Sequence, residues 1–478
     1  MAARTGKQYV AALRDGRRVY QGGRRIEDVT THPGFAGTVR TLAGMYDRQH
    51  SAEYGGQMTV DWQGECISLS YLPPADAAEL AAKRRNIELW SGATLGQMGR
   101  YPDFCSELAV GLLDAAEWLG QPDPRFAENA RAYHRRCALG DLCLTHALND
   151  QHYDRSKSIR DQPDPDLILH VVRETPEGPI VRGLRNLATL APLSDEALVY
   201  PNRPRAADEA DYALAFAIPM NAPGLSILCR DLYAEHADPE RLPLTARFDE
   251  VDATMLFDDV LVPWENVFVY RQPAMAAQFH GRLNLWAGYS TLLRLVVRLE
   301  VFAGVGILLT EWANRRDPAA QAQLGRLIQD VEVLRACVTQ AEANAYRTPG
   351  GFHAPRLSEA YRLQGIEASD RSSRTLQDLL TSTLILTGGA SDLADADLGA
   401  AVERFFRNQA PSTRDHLRLL AVAADLVQSA FGARSQLYER LQSGEPDNTR
   451  RRLASRYDPT ALTERLLRFI RDDWEAGT

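Results

Sequence analysis

Residues 161–183 read DQPDPDLILHVVRETPEGPIVRG, and they mark the point where the chain changes from a helical to a β pattern. Pro163 and Pro165 end any preceding helix, because proline has no backbone N–H to donate and its ring clashes with the previous turn. Short runs rich in β-branched residues lie on both sides of residues 175–178, where a proline and a glycine indicate a turn. This stretch therefore predicts a β-hairpin that opens a β region in the middle of the chain.

The patterns on either side of this hairpin are different. Apolar residues recur three and four positions apart from residue 78 to about residue 146, which is the spacing of amphipathic helices. Three strand-like runs follow the hairpin, at 212–220, 224–230 and 253–262. Beyond residue 270 helical patterns return, and Ser412 is placed to cap one of these later helices. The sequence predicts an α+β protein with a mostly helical N-terminal domain (1–150), a middle β domain (151–272) and a C-terminal helical bundle (273–478).

The composition excludes several classes of protein. The 478 residues are 45% apolar and 24% charged, and their net charge of −9 argues against a nucleic acid partner. Acidic residues interrupt the basic N-terminus, which argues against a transit peptide. The longest strongly apolar run, around 301–309, is too short to span a bilayer. None of the six cysteines forms a C-x-x-C pair, so no disulfide framework is expected. We expect a cytoplasmic protein without a membrane segment.

Common catalytic motifs are missing from the sequence. It has no G-x-G-x-x-G after a strand, no P-loop, no H-E-x-x-H and no G-x-S-x-G. Cys137, Cys143 and His146 lie close together, but the chain offers no second pair of ligands for a metal. Buried thiols near a polar histidine are therefore favoured, and no metal site is predicted.

Seven stretches become informative when they are taken together: 5–35, MGRYPDF (98–104), GDLCLTHAL (140–148), VRGLRNLATLAPLSDEALVYP (181–201), 215–230, LFDDVLVPWENVFVY (256–270) and 423–446. In this order, over about 440 residues, they resemble the 4-hydroxyphenylacetate 3-monooxygenase family of flavin-dependent oxygenases.

The resemblance implies a fold and a reaction. The fold would be acyl-CoA dehydrogenase-like, with the three domains around a reduced flavin. FAD would arrive as FADH2 from a separate flavin reductase and react with O2 to form a C4a-hydroperoxyflavin, which hydroxylates an aromatic, phenolic substrate. The chain would form a homodimer or homotetramer.

The resemblance also assigns roles to residues. Arg100 would hold the charge of the substrate, and His146 would act as a base or hydrogen-bond partner. The residues alone would favour a surface arginine near a helix start and a core histidine bonded to a carbonyl. The expected substrate-binding residues are Arg100, Tyr101, Phe104, His146, Pro201 and Asn202. The expected flavin-binding residues are His146, Ala147, Leu148, His152, Tyr153, Asp154, Arg155, Thr189, Ser429, Ala430, Phe431, Gly432 and Arg434.

One position departs from the family pattern. Phenol hydroxylases of this family generally read R-x-P-D-Y, whereas the chain has Phe104 in place of the tyrosine. The missing hydroxyl removes a hydrogen bond to the substrate oxygen. Either Arg100 and His146 hold a phenol without it, helped by Tyr101, or the pocket accepts a less polar ring, such as a heteroaromatic or a biosynthetic intermediate.

Two further alternatives stay open at this stage. A related branch, the 4-hydroxybutyryl-CoA dehydratases, needs cysteines and a histidine around an iron–sulfur cluster. Cys105 and His280 would suit that role, but Tyr101 and Ala287 stand where further thiolates are required. A flavin-free structural or binding subunit is the other alternative, and the retained polar residues argue against it.

Overall fold

The computed structural model describes residues 3–151, 154–386, 388–442 and 445–473. The N-terminal third is mostly helical: α1 (Gly6–Ala12), α2 (Pro33–Arg48), α3 (Gly55–Met58), α4 (Ala77–Gly92), α5 (Pro102–Asp114), α6 (Ala116–Leu119) and α7 (Pro124–Gly140). Its strands are β1 (Val19–Gln21), β2 (Arg24–Ile26), β3 (Thr59–Trp62) and β4 (Glu65–Ser68). Proline or an acidic cap begins several of these helices, as at α5, where Pro102 occupies the first turn.

The middle of the chain forms two sheets. Its elements are β5 (Leu144–Ala147), β6 (His170–Glu174), β7 (Pro179–Arg185), β8 (Glu196–Val199), β9 (Leu214–Pro219), β10 (Leu225–Cys229), α8 (Thr245–Phe248), β11 (Ala253–Leu261) and β12 (Val267–Tyr270). One sheet has the order β2-β1-β10-β11-β7-β6 and the other β12-β9-β8-β5. Strands β6 and β7 pair antiparallel across the turn at 175–178, which confirms the predicted hairpin.

Helices dominate the C-terminal part: α9 (Pro273–Trp312), α10 (Pro318–Ala343), α11 (Glu359–Leu380), α12 (Thr383–Leu386), α13 (Gly399–Phe405), α14 (Thr413–Val427), α15 (Ala430–Gln442), α16 (Pro446–Arg456) and α17 (Thr460–Arg468). A π-helical turn follows at Phe469–Asp473, and the short strands β13 (Tyr346–Arg347) and β14 (His353–Ala354) form a small hairpin. Ser412 caps α14 through the backbone N–H of Asp415 at 3.1 Å, as predicted. Among the described residues, no helix is long and apolar enough to cross a membrane.

The segment around His146 differs from its prediction. The helical pattern was expected to continue to about residue 146, but α7 ends at Gly140 and His146 lies in strand β5. Asp141 adopts a left-handed conformation, φ 44°, which ends the helix. The residues that follow pair in parallel with β8, with His146 opposite Leu198. The predicted helix is therefore wrong over these residues, because pairing with a distant strand overrides the local pattern.

The long helix α9 holds the N-terminal helices against the C-terminal ones. Its residues Leu292, Val296 and Leu299 are buried, as the apolar spacing predicts. The loop before α5 approaches α9 so closely that a side chain at Gly96 (φ 67°) would place its Cβ 2.6 Å from the backbone nitrogen of Arg298. This contact fixes the loop that carries Arg100.

Candidate active site

A buried chain of three side chains joins the N-terminal helices to the second sheet. Arg100 lies in the loop before α5, His146 in β5 and Tyr200 directly after β8. The Nε of Arg100 donates to Nε2 of His146 at 3.0 Å, and Nδ1 of His146 lies 2.8 Å from the hydroxyl of Tyr200. Because an arginine N–H can only donate, Nε2 of His146 accepts, and the neutral ring carries its proton on Nδ1, next to Tyr200.

The surroundings of His146 keep it neutral. Burial lowers its pKa well below the ordinary value, and the positive charge of Arg100 and the nearby His280 lower it further. His280 itself has a pKa lowered to about 4, by burial first and then by the charges of Arg362, Arg100 and Arg452. A neutral imidazole can accept a hydrogen bond from a ligand hydroxyl and so share its proton, although the lowered pKa opposes full protonation of the ring.

Two aromatic rings border the guanidinium of Arg100. Its Cζ lies 4.0 Å from the centre of the Phe104 ring and 5.4 Å from the centre of the Tyr438 ring. Phe104 also meets His146 edge to face, with 5.8 Å between ring centres. The hydroxyl of Tyr438 is buried and has no hydrogen-bond partner among the described residues. A buried hydroxyl without a partner is unfavourable, so a ligand oxygen or nitrogen would stabilise it.

Two acidic residues before β11, Glu250 and Asp252, accept hydrogen bonds from Arg434 and from its neighbours in the site. Glu250 accepts hydrogen bonds from the backbone N–H of Arg100 and from Nη1 of Arg434, the latter at 2.9 Å. Asp252 accepts from Nε of Arg434 and from the hydroxyl of Thr189, both at 2.8 Å. Burial raises the pKa of Asp252, but hydrogen bonds and charge from Arg434 outweigh burial and lower it overall. Thr189 and Arg434, which are 245 residues apart in the sequence, therefore meet on one carboxylate.

The predicted stretch 429–434 begins helix α15. The hydroxyl of Ser429 accepts the backbone N–H of Gly432 at 2.9 Å and so caps the first turn. Phe431 is buried, whereas Ala430 is exposed. A Cβ at Gly432 would lie 2.5 Å from the carbonyl oxygen of Leu426, so this position requires glycine. Arg434 leaves this turn toward Glu250 and Asp252.

Tyr101 belongs to a hydrogen-bond network that does not include Arg100 or His146. Its hydroxyl lies 2.9 Å from the hydroxyls of both Ser91 and Ser290, and Ser290 donates to Asp103 at 3.0 Å. All four side chains are buried. Tyr101 thus already has two protein partners, in contrast to Tyr438.

The remaining predicted residues lie where β5 and β8 end. Ala147 accepts the backbone N–H of Tyr200 at 3.2 Å, and Leu148 accepts that of Asn202 at 3.3 Å. Pro201 is buried between them and Asn202 is exposed. Further along, Asp154 accepts hydrogen bonds from Ser156, and Arg155 is exposed. His152 and Tyr153 lie outside the described residues.

Sequence reasoning missed four residues of this arrangement: Tyr200, Glu250, Asp252 and Tyr438. For the two acids a signal was present, since three acidic residues at 249–252 directly precede a strand with buried side chains and so require cationic partners. The two tyrosines carry no local signal.

The chain is similar to known proteins over nearly its whole length. Residues 5–269 match the family model described as 4-hydroxyphenylacetate 3-hydroxylase N terminal, and residues 276–471 match its C-terminal counterpart. The chain is 34% identical to the 4-hydroxyphenylacetate 3-monooxygenase oxygenase component of Thermus thermophilus, covering 98% of both chains. It is 35% identical to the pyoverdin chromophore biosynthetic protein PvcC of Pseudomonas aeruginosa, covering 94% of this chain and 91% of that one.

Solved structures show the same fold. A crystal structure of the oxygenase component HpaB of 4-hydroxyphenylacetate 3-monooxygenase, complexed with FAD and 4-hydroxyphenylacetate, matches with a TM-score of 0.93 at 32% identity, and both chains are covered completely. An archaeal 4-hydroxybutyryl-CoA dehydratase from N. maritimus matches with a TM-score of 0.86 at 16% identity, over 98% of this chain and 95% of that one. These likenesses confirm the predicted acyl-CoA dehydrogenase-like α+β fold.

Proposed function

The chain belongs to the 4-hydroxyphenylacetate 3-hydroxylase family, and on that premise we propose that it is the oxygenase component of a two-component monooxygenase, which uses FADH2 and O2 to hydroxylate an aromatic, phenolic ring. The observation that carries the proposal is the contact between Arg100 and His146, in which a permanent positive charge lies 3.0 Å from the acceptor nitrogen of a neutral imidazole. A phenol needs both groups. Its oxygen is stabilised by positive charge, and its proton is accepted by a base, which makes the ring carbon next to the oxygen a better nucleophile.

The residues around this pair fit a flavin. Thr189, Arg434 and the unpartnered hydroxyl of Tyr438 supply hydrogen-bonding groups from the β region and from α15. With Ser429 to Gly432 and the segment from Ala147 to Arg155, these groups would hold FAD. When bound, reduced FAD supplies the two electrons with which O2 gives one oxygen atom to the ring and one to water.

The chain's own residues then have separate tasks. The guanidinium of Arg100 would hold the phenol oxygen, and Nε2 of His146 would accept the hydrogen bond of the phenol hydroxyl and share its proton. Because Nε2 of His146 accepts from Nε of Arg100, the phenol has to replace the arginine as the donor to this nitrogen. The rings of Phe104 and Tyr438 exclude water from the guanidinium, and this strengthens its attraction to the phenol oxygen.

A second candidate function is the same flavin chemistry on a non-phenolic heteroaromatic or a biosynthetic intermediate. Phe104 favours it, because the ring that lies against Arg100 offers no hydroxyl to a substrate oxygen. The 35% identity to a chromophore biosynthetic protein is in line with such a substrate. The dehydratase alternative is supported by the shared fold and by Cys105 and His280, but Tyr101 and Ala287 cannot supply the thiolates that the cluster needs.

We also propose a homo-oligomer, a dimer or tetramer, with a flavin reductase as a separate cytoplasmic partner. The C-terminal helix α17 and the turn after it expose an apolar face, which a second copy of the chain would cover: Leu462, Leu466, Leu467, Phe469 and Ile470. Light scattering of the full chain measures the oligomeric state. A monomer would contradict this part of the proposal.

The activity can be tested directly. Purified protein is supplied with FADH2 by a flavin reductase and NADH, in air, with a panel of phenols and heteroaromatics. The expected product is 16 mass units heavier than the substrate, and Arg100→Met and His146→Gln are expected to release hydrogen peroxide in its place. The matched control is Arg173→Met, at an exposed position, which is expected to leave hydroxylation unchanged. Peroxide as the sole product with every compound would refute the proposed function.

A further inference from the structure

We infer that Glu250 is a positioning residue that couples the flavin-binding group at Arg434 to the substrate-binding Arg100, so that occupation of one site strengthens binding at the other. The inference rests on the proposed function, which assigns those two roles. Its basis is that one carboxylate serves both arginines. One oxygen of Glu250 accepts the backbone N–H of Arg100, and the other accepts Nη1 of Arg434 at 2.9 Å.

The position of Glu250 leaves it little freedom. Its side chain is fully buried, and that of Arg434 is 10% exposed. A buried carboxylate keeps its hydrogen bonds because losing one is costly in a low-dielectric interior. Arg434 is also held by Asp252, which in turn accepts from Thr189. A displacement of Arg434 is therefore transmitted to Glu250 and to the backbone of Arg100.

A second contact joins the same two arginines. The ring of Tyr438 lies 4.1 Å from Cζ of Arg434 and 5.4 Å from Cζ of Arg100. Arg100 is thus tied to Arg434 through its backbone by Glu250 and through its side chain by Tyr438. A ligand that orders Arg434 restricts Arg100 through both contacts, and a second ligand then binds to a group that is already ordered.

Hydrogen–deuterium exchange tests the coupling at the bond itself. Under anaerobic conditions, saturating FADH2 alone is expected to slow exchange in the peptide 97–101 about 5-fold or more in the wild-type protein, within the usual range of coupling between sites. In Glu250→Gln the same addition is expected to leave exchange unchanged, because the amide cannot accept from both arginines as an anion does. The matched control is Glu439→Gln. Glu439 lies on α15 and forms a buried ion pair with Arg294, so this variant also weakens a buried carboxylate–arginine pair. It is expected to keep the FADH2 effect.

Binding affinities give the size of the coupling. The affinity for 4-nitrophenol, with and without FADH2, is expected to differ about 5-fold or more in the wild type and in Glu439→Gln. In Glu250→Gln the difference is expected to be clearly smaller, because only the Tyr438 contact still joins the two arginines. FADH2 protection of 97–101 that persists in Glu250→Gln, or is missing from the wild type that binds FADH2, would overturn the inference. Failure of the wild type to bind FADH2 at all would instead contradict the proposed function.

Discussion

Replacement of Phe104 by tyrosine tests what the missing hydroxyl means for the substrate. The Phe104 ring is 3% exposed and lies against Arg100 and His146, the two groups proposed to hold the phenol oxygen. A hydrogen bond to a charged group contributes about 1.5–3 kcal/mol. If the new hydroxyl reaches the phenol oxygen, kcat/KM for a simple phenol such as 4-hydroxyphenylacetate is expected to rise about 10- to 150-fold.

The ligand-free variant is expected to show the opposite effect. A tyrosine hydroxyl buried without a partner costs about 1–3 kcal/mol, so chemical denaturation is expected to show a less stable protein before substrate is added. The combination of lower stability and tighter phenol binding is specific for a hydroxyl whose partner is the substrate.

The matched ligand for this experiment is phenylacetate, which lacks the phenol oxygen. Its inhibition constant is expected to be the same for Phe104→Tyr and the wild type, whereas that of the phenol improves. Equal gains for both compounds, or a loss of phenol turnover in the variant, would refute the reasoning and favour a pocket built for a less polar ring.

Three further changes test buried ionisable groups. Arg434→Met leaves two carboxylates without their shared cation, and we expect a loss of about 3–5 kcal/mol in the free energy of unfolding; adding Glu250→Gln should recover part of it in denaturant titrations. Lys83→Met removes the partner of Glu107, 2.8 Å away with both side chains fully buried, and an equally large loss is expected, relieved by Glu107→Gln. His134 has its pKa lowered to about 4 by burial. The unfolded chain therefore takes up a proton below pH 6.5 that the folded chain refuses until about pH 4, and stability falls as the pH decreases through this window. At pH 5 this difference in proton uptake lowers the free energy of unfolding by about 2 kcal/mol. Between pH 7.5 and pH 5, the free energy of unfolding of His134→Gln is therefore expected to fall by about 2 kcal/mol less than that of the wild type. Unchanged pH dependence would contradict the assignment.

The fold was readable from the sequence where local signals and final structure agree. The hairpin at 175–178 and the cap at Ser412 depend on residues a few positions apart, and both predictions are confirmed. Strand β5 was misread because its apolar spacing also suits a helix, while its partner β8 begins about 50 residues later. Local periodicity carries no information about a partner at that distance.

The polar contacts of the site were even harder to predict, because their partners lie far apart in the sequence. Acidic residues before a buried strand indicate that cations must approach, but not which ones: Glu250 meets Arg100 from 150 residues before it and Arg434 from 184 residues after it. Each of these groups alone would be unfavourable when buried, and each is stabilised only when all three segments have assembled. The geometry of Arg100 is therefore a property of the assembled chain. A substitution at Glu250 would disturb the substrate arginine as directly as one in the loop that carries it.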